Sequence, residues 1–383
     1  MQKKTKCDRA NGKDPALLEI LLPLLIWYAK NARPLPWRED PTPYRVWLSE
    51  VMLQQTRIEA VRPYYARFLA AAPSISALAA LPDEQLMKLW EGLGYYSRAR
   101  NLKKAAVIMT EQYGGEMPST YDGIRALPGI GDYTAGAIAS IVYGLPYPAV
   151  DGNVLRVLAR LSADPSDITS PDTKKRMSAS LREVYLALEK TDLTTHGCGD
   201  NVKNPIAMLT QALMELGQTV CLPNRVPLCE ACPLADRCRA KAEGSTDRIP
   251  CRAPKKGRRV ERRLVLLLCN EKSEWAITRR PSTGLLADLW EFPNILLPEG
   301  EQDADATIRH FCASHGLHPT EWAELPAARH LFTHIEWQMR GCYVNVETED
   351  GCNLTFVTAD DLFENRAVPS AFSAYLPYIR GGI

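Results

Sequence analysis

The chain has 383 residues and a formal net charge of +1. Hydrophobic residues make up 46% of it, and 11 residues are cysteines. This length exceeds one comfortable core, so we expect two domains, and the near-neutral charge neither requires nor excludes a nucleic acid partner. The N-terminus is charged and the best apolar stretch, residues 17–28, is too short to span a bilayer, so we expect a cytoplasmic protein with reduced cysteines.

Helices are predicted throughout the first 240 residues, because apolar residues recur at intervals of three and four and Pro or Gly falls at the joints. The predicted helices cover residues 17–30, 44–60, 63–71, 83–90, 97–113, 121–126, 133–143, 154–161, 174–189 and 206–217. Strand-like patterns begin only later, at residues 264–269, 275–278 and 337–346, with helices at 305–314 and 359–362. A mainly α domain, residues 1–243, is therefore followed by a small α/β or α+β domain, residues 263–383.

Residues 244–262 form a basic linker between the two predicted domains. Pro250 and Pro254 fall among several arginines and lysines there. A solvated hinge and a segment that contacts phosphates explain this composition equally well.

Glu50 lies on an apolar stripe of a predicted helix, with Val46, Trp47 and Leu53 as its i−4, i−3 and i+3 neighbours. Loss of hydration on such a stripe raises the pKa of a carboxyl group and lets it hold a proton near neutral pH. A general acid needs this property, although most helical glutamates are solvated.

Residues 127–131 read Leu-Pro-Gly-Ile-Gly and precede a predicted helix. The backbone N–H groups of Gly129, Ile130 and Gly131 can point outward from a tight turn, and the positive end of the helix adds to their field. Such a turn can hold a phosphodiester without reading its sequence. A plain connection between two helices explains an isolated motif of this kind at least as well.

Asp151 follows the apolar residues 148–150 and opens the next predicted helix. The helix dipole and the free N–H groups of the first turn favour an ionised carboxylate there. A simple helix cap is the plainer interpretation, and it is compatible with a catalytic anion.

Cys221, Cys229, Cys232 and Cys238 fit within eighteen residues, a spacing typical of a metal site. Four thiolates can hold a tetrahedral zinc or a [4Fe–4S] cluster. One Cys-x2-Cys flanked by two single cysteines favours the iron–sulfur cluster. Two disulfides are the least expected arrangement, because nothing else in the chain indicates an oxidising compartment.

Together these features resemble the endonuclease III superfamily of helix–hairpin–helix DNA glycosylases. Further motifs resemble the adenine DNA glycosylases (MutY family) within it, namely residues 36–38, 49–56, 92–102 and 150–154. The resemblance implies a helical glycosylase region with a [4Fe–4S] loop and a Nudix-like α/β C-terminal domain. It also implies hydrolysis of the N-glycosidic bond of adenine opposite 8-oxoguanine or guanine in double-stranded DNA. We expect a monomer associated with the nucleoid and no membrane partner.

The resemblance also implies roles for single residues. Glu50 would protonate the extruded adenine, Asp151 would stabilise the sugar cation, and Asn153 would orient Asp151 or the attacking water. Tyr133 stands where lyase-competent relatives carry a lysine, and a phenol cannot form a Schiff base, which predicts a monofunctional glycosylase. Simple packing is the alternative role for Tyr133.

Recognition of the two bases is carried over in the same way. By resemblance, the residues around 8-oxoguanine are Gln55, Thr56, Leu93 and Tyr95, and those of the adenine pocket are Arg33, Arg38 and Gln211. Phe332, Thr333 and His334 resemble the Phe-Ser-His loop that probes 8-oxoguanine. Seen alone, Tyr95 would be interpreted as core packing and Gln55 as a surface polar residue.

The second domain departs from a true Nudix hydrolase, which needs glutamates that bind Mg²⁺. In the corresponding frame Arg309 and Gly316 remain, but the three glutamates are absent. We therefore expect this domain to bind and not to hydrolyse.

The cysteine loop also departs from the family pattern. Seven residues separate its first two cysteines where relatives commonly have six, and residues 192–204 look like an insertion. Cys198 within this insertion is a less favoured fifth candidate ligand, while Arg225 and Arg237 would bring charge near phosphates.

Two other functions fit parts of the pattern. A bifunctional oxidised-pyrimidine glycosylase/lyase conflicts with Tyr133 and with the second domain. A non-catalytic iron–sulfur DNA-binding protein conflicts with the presence of both Glu50 and Asp151.

Overall fold

A computed structural model describes residues 21–189, 204–254, 257–298 and 303–381. The chain divides into two compact units, one of residues 1–65, 74–79 and 101–254 and one of residues 66–73, 80–100 and 255–383. Two helical segments of the N-terminal half thus belong to the second unit, which the sequence pattern does not anticipate. None of the described helices combines the length and the hydropathy that crossing a bilayer requires.

The region before residue 255 is helical, as predicted. Its helices are α1 Leu21–Asn31, α2 Pro36–Glu39, α3 Pro43–Leu53, α4 Ile58–Ala71, α5 Ile75–Ala80, α6 Asp83–Trp90, α7 Ser97–Tyr113, α8 Tyr121–Arg125, α9 Asp132–Ile141, α10 Gly152–Ser162, α11 Pro171–Glu189, α12 Pro205–Thr219 and α13 Arg239–Ala242. Short 3₁₀ turns at Cys229–Ala231 and Ala235–Arg237 lie within the cysteine loop.

The apolar faces of α1, α10, α11 and α12 form the core of the first unit. On α10, Val154, Leu158 and Leu161 recur at helical spacing and are all buried, so this helix is fixed along its whole length. The loop before α10 lies directly on α9, where a Cβ at Gly136 would come within 2.5 Å of the carbonyl oxygen of Pro148. This close approach fixes the position at which Asp151 begins α10.

One predicted helix is wrong. The expected helix over residues 44–60 is interrupted, because α3 ends at Leu53 and α4 starts at Ile58. Gln55 lies between them in the left-handed region, with φ of +58°, which no α-helix contains. Residues 54–57 are four consecutive polar residues, Gln-Gln-Thr-Arg, but no Pro or Gly marks a joint there. The predicted insertion at residues 192–204, including Cys198, lies almost wholly outside the described residues.

The second unit contains a mixed sheet. Its strands are β1 Arg259–Cys269, β2 Trp275–Arg279, β3 Trp290–Glu291, β4 Asn294–Leu296, β5 Leu317–Leu331, β6 Ile335–Thr348 and β7 Thr355–Val357. The main order is β3-β2-β1-β6-β5, with β4 paired to β1 and β7 to β2. The pairing of β1 with β6 is parallel, from Arg259 opposite Ile335 to Cys269 opposite Asn345. The long strand β5 pairs antiparallel with β6.

Both faces of the sheet are buried. Along β1, Leu264, Leu266 and Leu268 point to one apolar cluster, while Val265 and Leu267 point to another. The first cluster is completed by α14 Ala304–Ser314. The second is completed by α15 Ala359–Asn365 and α16 Leu376–Gly381. Helices therefore cover both faces of the sheet.

Candidate active site

Glu50 is buried on the last turn of α3, with only 6% of its surface exposed. Burial raises the pKa of this carboxyl to about 7, and the nearby charge of Asp151 adds to the rise, against a hydrogen bond from Tyr133 and the charge of Arg38. The Tyr133 hydroxyl donates to Glu50 Oε2 at 2.8 Å. Burial first, and then the charges of Glu50 and Asp151, raise the pKa of Tyr133 well above its ordinary value, so the phenol keeps its proton. A proton held near neutral pH is thus available at Glu50.

Asp151 is the N-cap of α10, as the sequence predicts. Its Oδ1 accepts hydrogen bonds from the backbone N–H groups of Asn153 at 2.9 Å and Val154 at 2.8 Å. The side-chain amide of Asn153 donates to the other oxygen, Oδ2, at 2.7 Å. Three donors directed at one carboxylate fix its position at the start of α10. The two carboxyls therefore occupy environments of opposite character.

Asn153 is itself held by Arg156, a buried residue one turn further along α10. Arg156 Nη2 donates to Asn153 Oδ1 at 2.9 Å and to the carbonyl of Gly217 at 2.6 Å, while its Nε donates to the carbonyl of Cys221 at 2.8 Å. At Gly217 a Cβ would lie 2.7 Å from the Cβ of Asn153. Only a glycine on α12 lets α10 approach this closely with Asn153 in place.

A cleft of about 790 Å³ opens in front of these groups. Most of the predicted first-unit site residues line it: Arg33, Arg38, Glu50, Gln55, Thr56, Tyr133, Asp151, Asn153 and Gln211. Trp37 and Met214 add apolar walls, and the cysteine loop contributes Leu222, Pro223 and Arg225 to the rim. The cleft has room for a purine base and its sugar.

Glu215 is a component of the site that the sequence analysis missed. It is fully buried on α12, where its carboxylate pairs with Arg33 and accepts from Arg38 Nη2 at 2.8 Å. Burial pushes the pKa of Glu215 upward, but the hydrogen bonds from Arg33 and Arg38 outweigh it and lower the pKa. A carboxylate on an otherwise apolar helix is the signal that singled out Glu50, and it could have found Glu215 as well.

Gln211 lies one turn before Glu215 on the same helix. Its Oε1 accepts from the hydroxyl of Tyr28 at 3.2 Å, and the guanidinium of Arg38 stands 5.6 Å from the Tyr28 ring. The polar groups of this wall are therefore held by protein partners, which fixes their directions before any ligand enters.

The turn between α8 and α9 has the predicted backbone form. Gly129 adopts a φ of +75°, and a Cβ there would lie 2.6 Å from the Cβ of Asn101. Ile130 is buried and anchors the turn, while Gly131 is the N-cap of α9. The positive end of α9 is thus presented at this turn.

In the second unit, the loop at residues 92–95 presents Tyr95 with 47% of its surface exposed and a φ of +48°. Buried Arg98 holds this loop by donating to the carbonyls of Leu93 at 3.1 Å and Gly94 at 3.0 Å. The indole N–H of Trp90 donates to the same Gly94 carbonyl at 3.0 Å. The exposed Tyr95 is therefore held on a loop whose backbone carbonyls have fixed partners. Leu93, in contrast, is buried.

The predicted lesion-probing residues form the tip of the β5–β6 hairpin. The Phe332 N–H donates to the Ile335 carbonyl at 2.8 Å, and the Phe332 ring packs edge-on against buried Trp337, with ring centroids 4.9 Å apart. Thr333 and His334 are exposed at the tip. The backbone of the tip is thus anchored while its two polar side chains face outward.

None of the nine cysteines that the structure describes, the four clustered ones included, is in a disulfide. Burial raises the pKa of Cys232 to about 11, and the neighbouring Cys221, Cys238 and Cys229 contribute to the rise, so the four sulfurs lie near one another. Within the described residues, no three His, Cys, Asp or Glu side chains converge on a point that could hold a single metal ion.

The Nudix-like frame lies on α14. Arg309 pairs there with Asp305 at 2.8 Å, and Asp305 also accepts from the indole N–H of Trp322 at 3.0 Å. The ring of His315 stacks on Phe311, with centroids 4.0 Å apart. Each of these groups is occupied by a structural partner.

Comparison with known proteins agrees with this geometry. Residues 48–184 match the family model of the HhH-GPD superfamily base excision DNA repair proteins, and residues 264–377 match that of the NUDIX domain. The chain is 34% identical to the adenine DNA glycosylase of Rattus norvegicus, over 94% of this chain and 78% of that protein. It is 34% identical to the Homo sapiens adenine DNA glycosylase, over 85% of this chain and 67% of that protein.

Among solved structures, a thermostable thymine-DNA glycosylase is similar in fold, with a TM-score of 0.50 at 22% identity, covering 60% of this chain and 98% of that one. The predicted order of a helix–hairpin–helix region followed by a Nudix-like domain is confirmed.

Proposed function

Because this chain belongs to the adenine DNA glycosylases, we propose that its substrate is adenine paired with 8-oxoguanine or guanine in duplex DNA and that it releases the base without cutting the strand. The observation that carries the mechanism is the pair of carboxyls in one cleft, with the buried Glu50 at a pKa of about 7 and Asp151 capped by three donors. Two carboxyls whose environments separate their protonation states are suited to glycosidic bond cleavage.

The base must leave the helical stack to reach this cleft. Glu50 then donates its proton to a ring nitrogen of adenine, which makes the base a better leaving group. As the bond breaks, the ionised Asp151 stabilises positive charge on the sugar, and the Asn153 amide holds that carboxylate in place. Tyr133 keeps Glu50 oriented through its 2.8 Å hydrogen bond.

The same cleft supports the proposal that the strand is left uncut. A lyase needs an amine that attacks the sugar and forms an imine, and a phenol at position 133 cannot do so. Among the described residues, arginines line the cleft but no lysine does. Water is then the nucleophile that remains.

We assign recognition of adenine to the wall formed by Arg33, Arg38 and Gln211, with Glu215 fixing both guanidinium groups. Recognition of the opposite base is assigned to the remaining predicted residues: Gln55, Thr56, Leu93, Tyr95, Phe332, Thr333 and His334. The exposure of Gln55, Tyr95, Thr333 and His334 supports this assignment, whereas Leu93 is buried. Gly129, Ile130 and Gly131 would hold a phosphate at the start of α9.

Cys221, Cys229, Cys232 and Cys238 fit a [4Fe–4S] cluster by their chemistry and position. The sulfurs are close enough to affect one another's pKa, and each iron of such a cluster takes one thiolate, so convergence on a single point is not required. The buried guanidinium of Arg160 donates to Cys221 Sγ at 3.3 Å, which suits a thiolate. When bound, the cluster would cross-link the four cysteines through iron–thiolate bonds and so fix the loop at the rim of the cleft.

Single-turnover assays on three duplexes test the proposal: adenine opposite 8-oxoguanine, adenine opposite guanine, and cytosine opposite 8-oxoguanine. We expect base release from the first two only, fastest from the first, and none with Glu50→Gln. Strand nicking without alkali would instead indicate a lyase. Binding without any base release would indicate a non-catalytic lesion-binding protein.

A further inference from the structure

The basic segment that leads into β1 contacts the hairpin tip that carries Phe332, Thr333 and His334. Arg258 Nε donates to the carbonyl oxygen of Phe332 at 2.8 Å. The next residue, Arg259, donates its backbone N–H to the carbonyl of His334 at 3.0 Å. Two of the three carbonyls of this tip, those of Phe332 and His334, therefore accept hydrogen bonds from the consecutive residues 258 and 259.

These two bonds differ in what they require of the sequence. The bond from Arg259 is made by the backbone at the start of the parallel β1–β6 ladder, so any residue except proline could provide it. The bond from Arg258 needs a long side chain whose N–H group reaches the Phe332 carbonyl. The hydrogen bond to the Phe332 carbonyl therefore depends on the Arg258 side chain, whereas the bond to the His334 carbonyl does not depend on a side chain.

The surroundings keep the Arg258 guanidinium near the tip. The positive charge of Arg258 is one of the causes that lower the pKa of Glu336, after the hydrogen bonds from Arg329 and Gln338, so these charges lie close together. The Phe332 ring is fixed from the other side by Trp337 and His330, at centroid distances of 4.9 and 4.6 Å. With ring and carbonyl both fixed, the directions of Thr333 and His334 are set by the backbone between them.

We infer that Arg258 is a positioning residue for discrimination of the base opposite adenine, acting by fixing the backbone of the hairpin tip and not by touching DNA. The inference rests on the proposed function and names the side chain of the basic segment that serves it. Loss of one hydrogen bond at an exposed position corresponds to a change of about threefold to tenfold.

Arg262 offers a matched control. It is also an exposed arginine, four residues further along in β1, so its removal takes away the same charge. Its backbone carbonyl accepts from the Leu297 N–H, a bond that truncation of the side chain leaves in place. Arg258→Lys is the second control, because it keeps the charge and removes the guanidinium fork.

Single-turnover rates with the full holoprotein on adenine opposite 8-oxoguanine and adenine opposite guanine give a discrimination ratio. Arg258→Ala and Arg258→Lys should each lower this ratio by about threefold to tenfold, and Arg262→Ala should leave it unchanged. In a Thr333→Ala, His334→Ala background, Arg258→Ala should cause no further loss, since the side chains that it positions are gone. An equal loss on both duplexes would show contact with phosphate instead and overturn the inference.

Amide hydrogen exchange provides a readout that does not depend on base release. Arg258→Ala should speed exchange of the Phe332 N–H by about threefold or more, as the turn it closes with Ile335 opens more often, and Arg262→Ala should not. If the wild-type protein releases no adenine, the proposed function fails while this measurement still tests the anchoring. If exchange is the same in both variants, Arg258 does not hold the tip.

Discussion

Replacing Glu50 with glutamine should abolish base release and yet stabilise the protein at alkaline pH. Burial raises the pKa of Glu50 from 4.5 to about 7 in the folded state, so the folded protein binds this proton more tightly than the unfolded chain. At about 1.4 kcal/mol per pKa unit, the difference is roughly 3 kcal/mol. Glutamine has the same shape and cannot ionise.

The sign follows from this raised pKa. Below pH 4.5 both states carry the proton, and wild type and Glu50→Gln should have similar stability in this respect. As the pH rises from 4.5 through about 7, the unfolded wild-type chain releases this proton while the folded protein holds it, so the wild-type protein loses stability and the variant does not. The advantage of Glu50→Gln should therefore grow to roughly 3 kcal/mol by about pH 8, a rise in Tm of about 6–12 °C for a unit of this size.

Thermal unfolding of both proteins at about pH 5 and pH 8 is the assay. Glu111→Gln, which changes an exposed carboxylate on α7, is the matched control and should show no such dependence on pH. Base release by the wild-type protein should decline above about pH 7 as Glu50 loses its proton. A gain in Tm that is equal at both pH values, or no gain, would refute the claim that burial keeps this carboxyl protonated.

Three further changes probe the rest of the site. Gly217→Ala should lower the rate of base release at least about tenfold, because the new Cβ would displace Asn153. A Cβ at Gly152 would meet no atom within 4 Å, so Gly152→Ala should be nearly neutral. Single-turnover rates of the two variants test this difference. Glu215→Gln should weaken the hold on Arg33 and Arg38 and destabilise the protein by about 3 kcal/mol or more, measured by urea unfolding, and an unchanged midpoint would contradict the buried ion pair. Cys232→Ser should lose bound iron and visible absorbance while Cys251→Ser keeps both; equal iron content in the two variants would exclude the proposed ligand set.

Several features of the site could be predicted from local sequence because local physics dictates them. The N-cap role of Asp151 follows from its place before an apolar helical repeat, and its bonds to Asn153 and Val154 span only two and three residues. The left-handed Gly129 follows from the tight turn between two helices. The apolar stripe around Glu50 correctly indicated burial.

Other features depend on partners far along the chain and were missed. The break between α3 and α4 falls at residues 54–57, where no Pro or Gly marks a joint. The strand β5 Leu317–Leu331 contains Pro319 and Pro326 and has two irregularities in its pairing, and only the partner β6 makes it a strand. The assignment of residues 66–73 and 80–100 to the second unit likewise follows from contacts that no local pattern encodes.

The sequence by itself determined which chemical groups are present and which helix starts, turns and apolar stripes carry them, since these depend on neighbours a few residues apart. The tertiary structure decided how the groups act together. Tyr133 reaches Glu50 across 83 positions, and Arg33 reaches Glu215 across 182. Hydration, charge and hydrogen bonding depend on distance in space, so the proton on Glu50 and the fixed guanidinium groups exist only once the chain has folded.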